Sequence, residues 1–173
     1  TVQAVQQILD LVYADFEERT TAISLHFDLS KAFDMIDHKL LVKKLKKYGL
    51  NDCAVKLIES YLTNRQQIVK LESLDNVVFS DIASLFLGVP QGSILGPLLF
   101  IIFINDLPTF VNFFTFLFAD DTSSVLYGED ATLQAKLAYL EIYRWFTVNG
   151  LFLNHSKFQA LFYSLNNSKI PRP

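Results

Sequence analysis

The stretch Phe114-Thr115-Phe116-Leu117-Phe118-Ala119-Asp120-Asp121-Thr122-Ser123-Ser124-Val125-Leu126-Tyr127 limits the possible folds more than any other part of the chain. Aromatic and β-branched residues fill both flanks, and the gap between them has hairpin length, so Phe114 to Phe118 and Thr122 to Tyr127 are expected to pair as neighbouring strands. A hairpin of this kind requires an antiparallel sheet. It also sets two adjacent carboxylates at the tip, where each repels the other. Turn chemistry alone accounts for them, because Asp tolerates turn geometry and bonds its own backbone.

A third carboxylate changes that balance. Ala22 to Asp28 alternates, with Ile23, Leu25 and Phe27 on one face and Ser24, His26 and Asp28 on the other, which predicts a strand ending at Asp28 on its polar face. Three carboxylates brought together would push their pKa values upward unless a cation neutralised them. Mg²⁺ suits such a place, since it takes one or two carboxylates and completes its shell with water and substrate phosphates. Two such ions about 3.5 to 4 Å apart would clamp the attacking and leaving oxygens of an in-line phosphoryl displacement.

The rest of the chain supplies helices and further strands. Val2, Val5, Ile8, Leu9, Val12 and Phe16 recur at helical spacing, and helices are expected over Lys39 to Tyr48, Asp52 to Leu62, Pro97 to Asp106 and Ala131 to Val148. In the last of these, Leu133, Leu137 and Leu140 mark the periodicity. Gln66 to Leu71, Val77 to Leu87 and Phe158 to Leu165 read as strands, and Gly88 to Ser93 as a loop. Helices and strands in this order, without regular βαβ alternation, indicate an α+β fold with an antiparallel sheet.

Composition narrows the class. With 173 residues, 51% of them hydrophobic, the chain can bury a core. Cys53 is its one cysteine, which removes a disulfide framework and fits a reducing, intracellular compartment. Ile94 to Ile104 and Phe110 to Ala119 are strongly apolar, yet each is shorter than the roughly 20 residues of a spanning helix, so no membrane partner is expected. Fifteen basic against eighteen acidic residues argue mildly against a nucleic-acid partner. The lysines gather between Lys39 and Lys47, where a solvated helix face explains them without any ligand. Thr1 begins in the middle of an amphipathic pattern, so the chain reads as a fragment.

Four ordered motifs carry a family resemblance. Phe27-Asp28-Leu29-Ser30-Lys31-Ala32-Phe33-Asp34 with Asp37-His38, then Gly88-Val89-Pro90-Gln91-Gly92-Ser93-Ile94-Leu95-Gly96-Pro97, then Phe118-Ala119-Asp120-Asp121-Thr122, resemble the palm motifs of reverse transcriptases from non-LTR (LINE-type) retrotransposons. Tyr61 to Gln66, and Asn149-Gly150-Leu151 with Leu153-Asn154 and Lys157, fit the same family.

The resemblance implies a single partial reverse transcriptase domain over 1–173: a polymerase palm with an antiparallel sheet flanked by helices, adjoining finger helices, and no thumb. It implies RNA-directed DNA synthesis in retrotransposition, with two Mg²⁺ ions (Mn²⁺ as substitute) and with an RNA template, a DNA primer and a dNTP as partners. Action in the nucleus and in a cytoplasmic ribonucleoprotein follows from the family's habit.

By the same resemblance, Asp28 and Asp120 hold both metals and Asp121 supports them less directly. Leu29, Ser30, Lys31 and Ala32 offer backbone N–H groups to the triphosphate. Phe33 excludes a ribose 2′-hydroxyl, with ordinary core packing as the alternative for the same ring. Gln91 and Gly92 lie against the incoming nucleotide and template, and Gly92 is a glycine so that backbone can approach closely. Ala119 leaves room for the primer end. Lys157 protonates the departing pyrophosphate, although Phe158 stands where Thr is usual, and an exposed strand-end lysine is the other explanation. Asp34 and Asp37 are read as helix caps, with further metal ligation as the alternative. An inactive reverse-transcriptase-like scaffold, or a relic of a decayed mobile element, stays open beside the enzyme.

Overall fold

The computed structural model describes residues 2–17, 21–73 and 76–164. In chain order the elements are α1 (Val2–Glu17), β1 (Thr21–Phe27), β2 (Leu29–Ser30), a 3₁₀ turn (Ala32–Asp34), α2 (His38–Lys47), α3 (Asp52–Leu62), β3 (Arg65–Gln67), β4 (Lys70–Glu72), β5 (Val77–Phe79) and β6 (Ala83–Leu85). There follow α4 (Leu95–Ile104), α5 (Leu107–Phe110), β7 (Phe114–Phe118), β8 (Asp121–Gly128), α6 (Ala131–Val148), β9 (Phe152–Leu153) and β10 (Gln159–Tyr163). The expected helix and sheet mixture with antiparallel pairing is present. Among the described residues no helix is long and apolar enough to cross a membrane. The last expected strand was placed as far as Leu165, which lies outside the described residues.

The chain forms two compact units, Thr1–Ala32 with Ile104–Pro173, and Phe33–Phe103. The first is built on a four-stranded antiparallel sheet in the order β10-β1-β8-β7. Its register pairs Phe27 with Thr122 and Phe118 with Asp121. Ile23, Leu25 and Phe27 are buried, and the Phe27 ring meets Tyr139 and Phe146 of α6 with centroids 6.1 and 6.2 Å away. Against the sheet α6 turns Ala135, Ala138, Ile142 and Phe146, all buried, whereas Leu133, Leu137 and Leu140 stay exposed. The leucine spacing identified the helix correctly, but small alanines let its other face approach the strands.

On the face of β1 expected to be polar, Ser24 is closed off from water while His26 and Asp28 stay partly exposed. Ser24 is fully buried and hydrogen-bonded to His26 Nε2 (2.8 Å) and Tyr163 Oη (3.1 Å), and His26 Nδ1 meets Ser123 Oγ at 2.9 Å. Buried polar groups need such partners.

In the second unit α2 and α3 start where side chains cap them: Leu40 N–H donates to Asp37 Oδ1 and Ala54 N–H to Asn51 Oδ1, both at 2.8 Å. Leu41 and Leu45 of α2 and Val55 and Leu62 of α3 are buried, and the two helices pack against each other. Lys44 departs from the solvated lysine face, being buried with its Nζ donating to Phe103 O at 2.7 Å, among the last carbonyls of α4, where a cation is favoured. The two expected strands Gln66 to Leu71 and Val77 to Leu87 each break in two, giving the ladders β3–β6 and β4–β5, and Ser80 bridges the break by bonding Val69 N with its Oγ at 2.9 Å.

Gly88 holds the loop before α4. Its φ is +82°, and a Cβ there would sit 2.8 Å from the Asp34 backbone. Gly88 N–H donates to Ile36 O and Val89 N–H to Phe33 O, each at 2.8 Å. Gly92 has φ +77° but open space around its Cβ direction. In urea unfolding, Gly92→Ala is expected to lose about 1 to 2 kcal/mol through backbone conformation alone. Gly88→Ala should lose roughly a further 1 to 3 kcal/mol from the clash, so equal losses at the two sites would contradict this packing.

Candidate active site

Asp28 lies one residue beyond β1, and three features of the backbone hold it there. Its carbonyl accepts from Asn154 N–H at 2.8 Å, Phe27 before it is locked in the core, and Leu29 after it pairs with Leu153 across β2 and β9. The β1–β8 register continued by one residue sets Asp28 opposite Asp121, on one face of the sheet. Both side chains line a cavity of about 460 Å³ together with His26, Ser156, Lys157 and Gln159.

Lys157 Nζ donates to Asp28 Oδ1 at 3.1 Å, with the lysine side chain 63% and the aspartate 24% exposed. Their mutual attraction is therefore well screened by solvent. Phe158 follows directly, its ring 5.3 Å from Phe27 and 5.0 Å from Tyr139. Phe158 thus packs against the core beside the turn that presents Lys157.

Asp121 is exposed as a whole residue, yet partial burial of its carboxyl, then Asp120 and Asp28, raise it from the ordinary carboxylate value, with Lys157 and His26 opposing. His26 is lowered by burial, partly offset by Asp121. Beside Asp121, the Thr122 hydroxyl is fully buried and has no hydrogen-bond partner among the described residues.

Asp120 sits at the turn between β7 and β8, half-buried, next to Asp121 but outside the lining of that cavity. Among the described residues no three His, Cys, Asp or Glu side chains are grouped closely enough to hold a metal ion. The pair that does share the cavity, Asp28 and Asp121, still meets the demand of Mg²⁺, which needs one or two carboxylates and takes other ligands from water and phosphate. The like charges that raise Asp121 are those a cation would relieve.

Backbone conformation marks this neighbourhood in a way no side chain announces. Of the three described non-glycine residues with positive φ, Lys31 (51°) and Ala119 (52°) lie three residues after Asp28 and one before Asp120. For L-residues this region costs about 1 to 2 kcal/mol each. The backbone of Leu29 and Ser30 is paired with β9, Ala32 is buried, and Ala119 is exposed.

The remaining predicted residues belong to the second unit. Phe33 is half-buried, its ring 4.8 Å from Phe100. Gln91 Nε2 donates to Asp34 Oδ1 at 2.9 Å, so Asp34 serves that contact, while Asp37 caps α2 as expected. Gly92 is required by its positive φ rather than by crowding. His38 donates from Nε2 to Gly88 O at 2.7 Å, a structural contact.

Residues 3–169 match the family described as reverse transcriptase (RNA-dependent DNA polymerase). The chain is similar to a probable RNA-directed DNA polymerase from transposon BS of Drosophila melanogaster, 32% identical over 114 residues, covering 62% of this chain and 11% of that protein. It is also similar to the RNA-directed DNA polymerase from mobile element jockey of the same organism, 26% identical over 136 residues, covering 79% of this chain and 14% of the relative. The chain thus spans little more than a tenth of the length of these relatives. Among solved structures, apo telomerase from Candida tropicalis truncated from its C-terminal domain gives a TM-score of 0.65 at 13% identity, over 96% of this chain and 36% of that one. Telomerase from the same organism in complex with a TWJ fragment of telomeric RNA gives 0.67 at 13%, over 96% and 30%. At that identity the likeness is one of fold.

A raised carboxyl makes a signed prediction. Ionised Asp121 is disfavoured by folding, so its penalty is full above its folded pKa, fades as pH falls through that value, and is gone below the ordinary carboxylate pKa. Asp121→Asn should therefore melt higher than the parent near pH 7.5 without divalent ions, and the gain should vanish by about pH 3.5. Thermal melts across that range check it, and a gain that grows on acidification would contradict the assignment.

Proposed function

The chain belongs to the reverse transcriptase (RNA-dependent DNA polymerase) family, and from that premise we propose that it forms the palm and adjoining finger helices of an RNA-directed DNA polymerase of the non-LTR retrotransposon kind. The observation that carries this is the meeting of Asp28 and Asp121 in one cavity, with Asp120 adjacent at the hairpin tip and Lys157 paired to Asp28. The reaction is transfer of a deoxynucleotide from a dNTP to a primer 3′-hydroxyl. The hydroxyl oxygen bonds to the α-phosphorus, its proton is lost, and pyrophosphate leaves.

Divalent ions at such a centre supply charge neutralisation and activation of the attacking hydroxyl. Asp28 with Asp120, Asp121 or both would hold them, and a two-metal arrangement is the one we propose. Asp121, disfavoured as an anion, would be relieved by a cation beside it. Lys157 acts as counter-ion to Asp28 at 3.1 Å, and its exposed side chain is long enough to turn toward pyrophosphate and donate a proton when Asp28 is otherwise engaged. The roles of Phe33 against a 2′-hydroxyl, of Gln91 and Gly92 beside nucleotide and template, of the Leu29 to Ala32 backbone at the triphosphate, and of Ala119 beneath the primer end are supported by the family motifs. RNA template and DNA primer are the partners these roles require.

One observation favours a second reading. The Lys157–Asp28 pair satisfies Asp28 without any metal, as a retained scaffold would need.

Addition of Mg²⁺ with a dNTP is expected to raise the melting temperature of the chain, and Asp28→Asn to abolish the rise. A melt indifferent to both additions in the parent would favour the scaffold. Primer extension by these residues alone should be weak or absent, because most of the length of the relatives lies outside them.

A further inference from the structure

Both faces of the β4–β5 ladder carry apolar side chains open to water: Leu71, Val77, Val78 and Phe79 are between 47 and 67% exposed. Among the described residues no strand pairs with the outer edge of β4. An open edge beside such surface is a template for another strand. We propose that this edge joins two copies of the chain, β4 of one pairing antiparallel with β4 of the other about a two-fold at Leu71, so that a continuous sheet β5-β4-β4-β5 crosses the interface.

The backbone supplies the first argument. Ser80 N–H donates to Val69 O at 2.9 Å and Ser73 N–H to Asn76 O at 2.8 Å, so Val69 and Ser73 direct their peptide groups toward β5. Bonding alternates along an antiparallel strand, hence Leu71 does the same, while Lys70 and Glu72 present their N–H and C=O outward. A two-fold at Leu71 sets Lys70 opposite Glu72 of the second copy. Each outward pair then meets the donor and acceptor it lacks, and the same exchange occurs twice by symmetry.

The charges supply the second argument. Lys70 and Glu72 share a face and meet at 2.7 Å within one chain, with side chains 50 and 64% exposed, so their attraction contributes little to a monomer. In the proposed register each lysine also stands directly across from the second copy's Glu72, where opposite charges favour pairing. A shift of two residues would oppose Lys70 to Lys70 or Glu72 to Glu72, and parallel strands in register would oppose both. One alignment alone avoids like charges. On the opposite face Val78, Leu71 and the same two residues of the second copy make an unbroken apolar row, because Leu71 pairs with Val78 within each chain. The outer edge of β5, Val77-Val78-Phe79, has no charge to fix a register. The self-complementarity of the β4 edge is what assigns a second copy rather than a different protein.

This interface goes beyond the polymerase reading and does not rest on it. Sedimentation equilibrium of the 173-residue chain, carried to about 1 mM because a contact this small belongs to the weak class, should show a reversible monomer–dimer equilibrium. Lys70→Glu and Glu72→Lys should each weaken it about tenfold or more, since either reversal alone creates like-charge pairs on both sides of the two-fold. The double variant Lys70→Glu/Glu72→Lys should restore it, which neither a foreign partner nor an unspecific apolar contact would do. With the exposed Cys53 replaced by Ser, Leu71→Cys should give a covalent dimer under oxidised glutathione, because residues facing each other at such a position have Cα atoms about 4.5 Å apart. Ser73→Cys, which faces Val69 of the second copy, should not. A parent that stays monomeric throughout would overturn the proposal. So would a dimer indifferent to both single reversals, or a double variant that melts like the parent yet associates as weakly as the singles. Asp28→Asn should associate like the parent, so loss of the cation response leaves this interface standing, and failure of the interface leaves the polymerase reading untouched.

Discussion

The register between β1 and β8 is the constraint on which the candidate site depends. Because side chains alternate along a strand, a slip of one residue would send Asp28 and Asp121 to opposite faces and carry Ile23, Leu25 and Phe27 out of the core. Burial therefore sets the geometry of the acids. Phe27, 2% exposed and in ring contact with Tyr139, Phe146 and Phe158, fixes the position of the residue after it. The Ser24, His26 and Ser123 network, with Ser24 buried and the other two partly so, fixes the same register from the other face. A polar network of this kind specifies one alignment, since any other would leave its members unpaired at a cost of about 1 to 3 kcal/mol each.

Such a frame can hold groups that would not assemble unaided. Asp121 is raised by burial and by two neighbouring carboxylates, Ala119 and Lys31 occupy the left-handed region, and the Thr122 hydroxyl is buried without a partner. Each is unfavourable taken singly, and all four residues lie within three positions of Asp28, Asp120 or Asp121. Unfavourable local features concentrated against a rigid sheet are what a site built to receive charge requires. Lys157 pairs with Asp28, and its exposure keeps that pairing weak and exchangeable.

Much of this was legible in the sequence, and the failures share a cause. The hairpin around Asp120-Asp121, the strand ending near Asp28, and the bounds of α3 and α6 follow from periodicity and capping residues, which act locally. Asp37 as a cap is local in the same sense. Which face of α6 turns inward is settled by the sheet it meets, and there Ala135 and Ala138 outcompete the larger Leu133, Leu137 and Leu140 because they allow closer approach. Lys44 resembles its neighbours in sequence, yet it alone of the α2 lysines is buried, at the Phe103 carbonyl and ring. Ser24 and His26 read as a wet face because their partners, Ser123 and Tyr163, come from distant strands. The positive φ of Lys31 and Ala119 has no signature in residue type at all.

The acidity of the chain, which counted against a polyanionic partner, has a different meaning once the charges are placed. Residues 33–103 carry eight of the fifteen basic residues and seven of the eighteen acidic ones, while the remainder of the chain carries seven and eleven. The excess of acid therefore belongs to the unit that holds Asp28, Asp120 and Asp121, three residues whose proposed task is to be met by cations. A strand of nucleic acid responds to charges within roughly 8 to 10 Å at physiological salt, not to a sum over the whole chain. The exposed lysines Lys39, Lys43, Lys46 and Lys47 lie in a unit where bases slightly exceed acids. Net charge averages over two units of different charge balance, and the average describes neither.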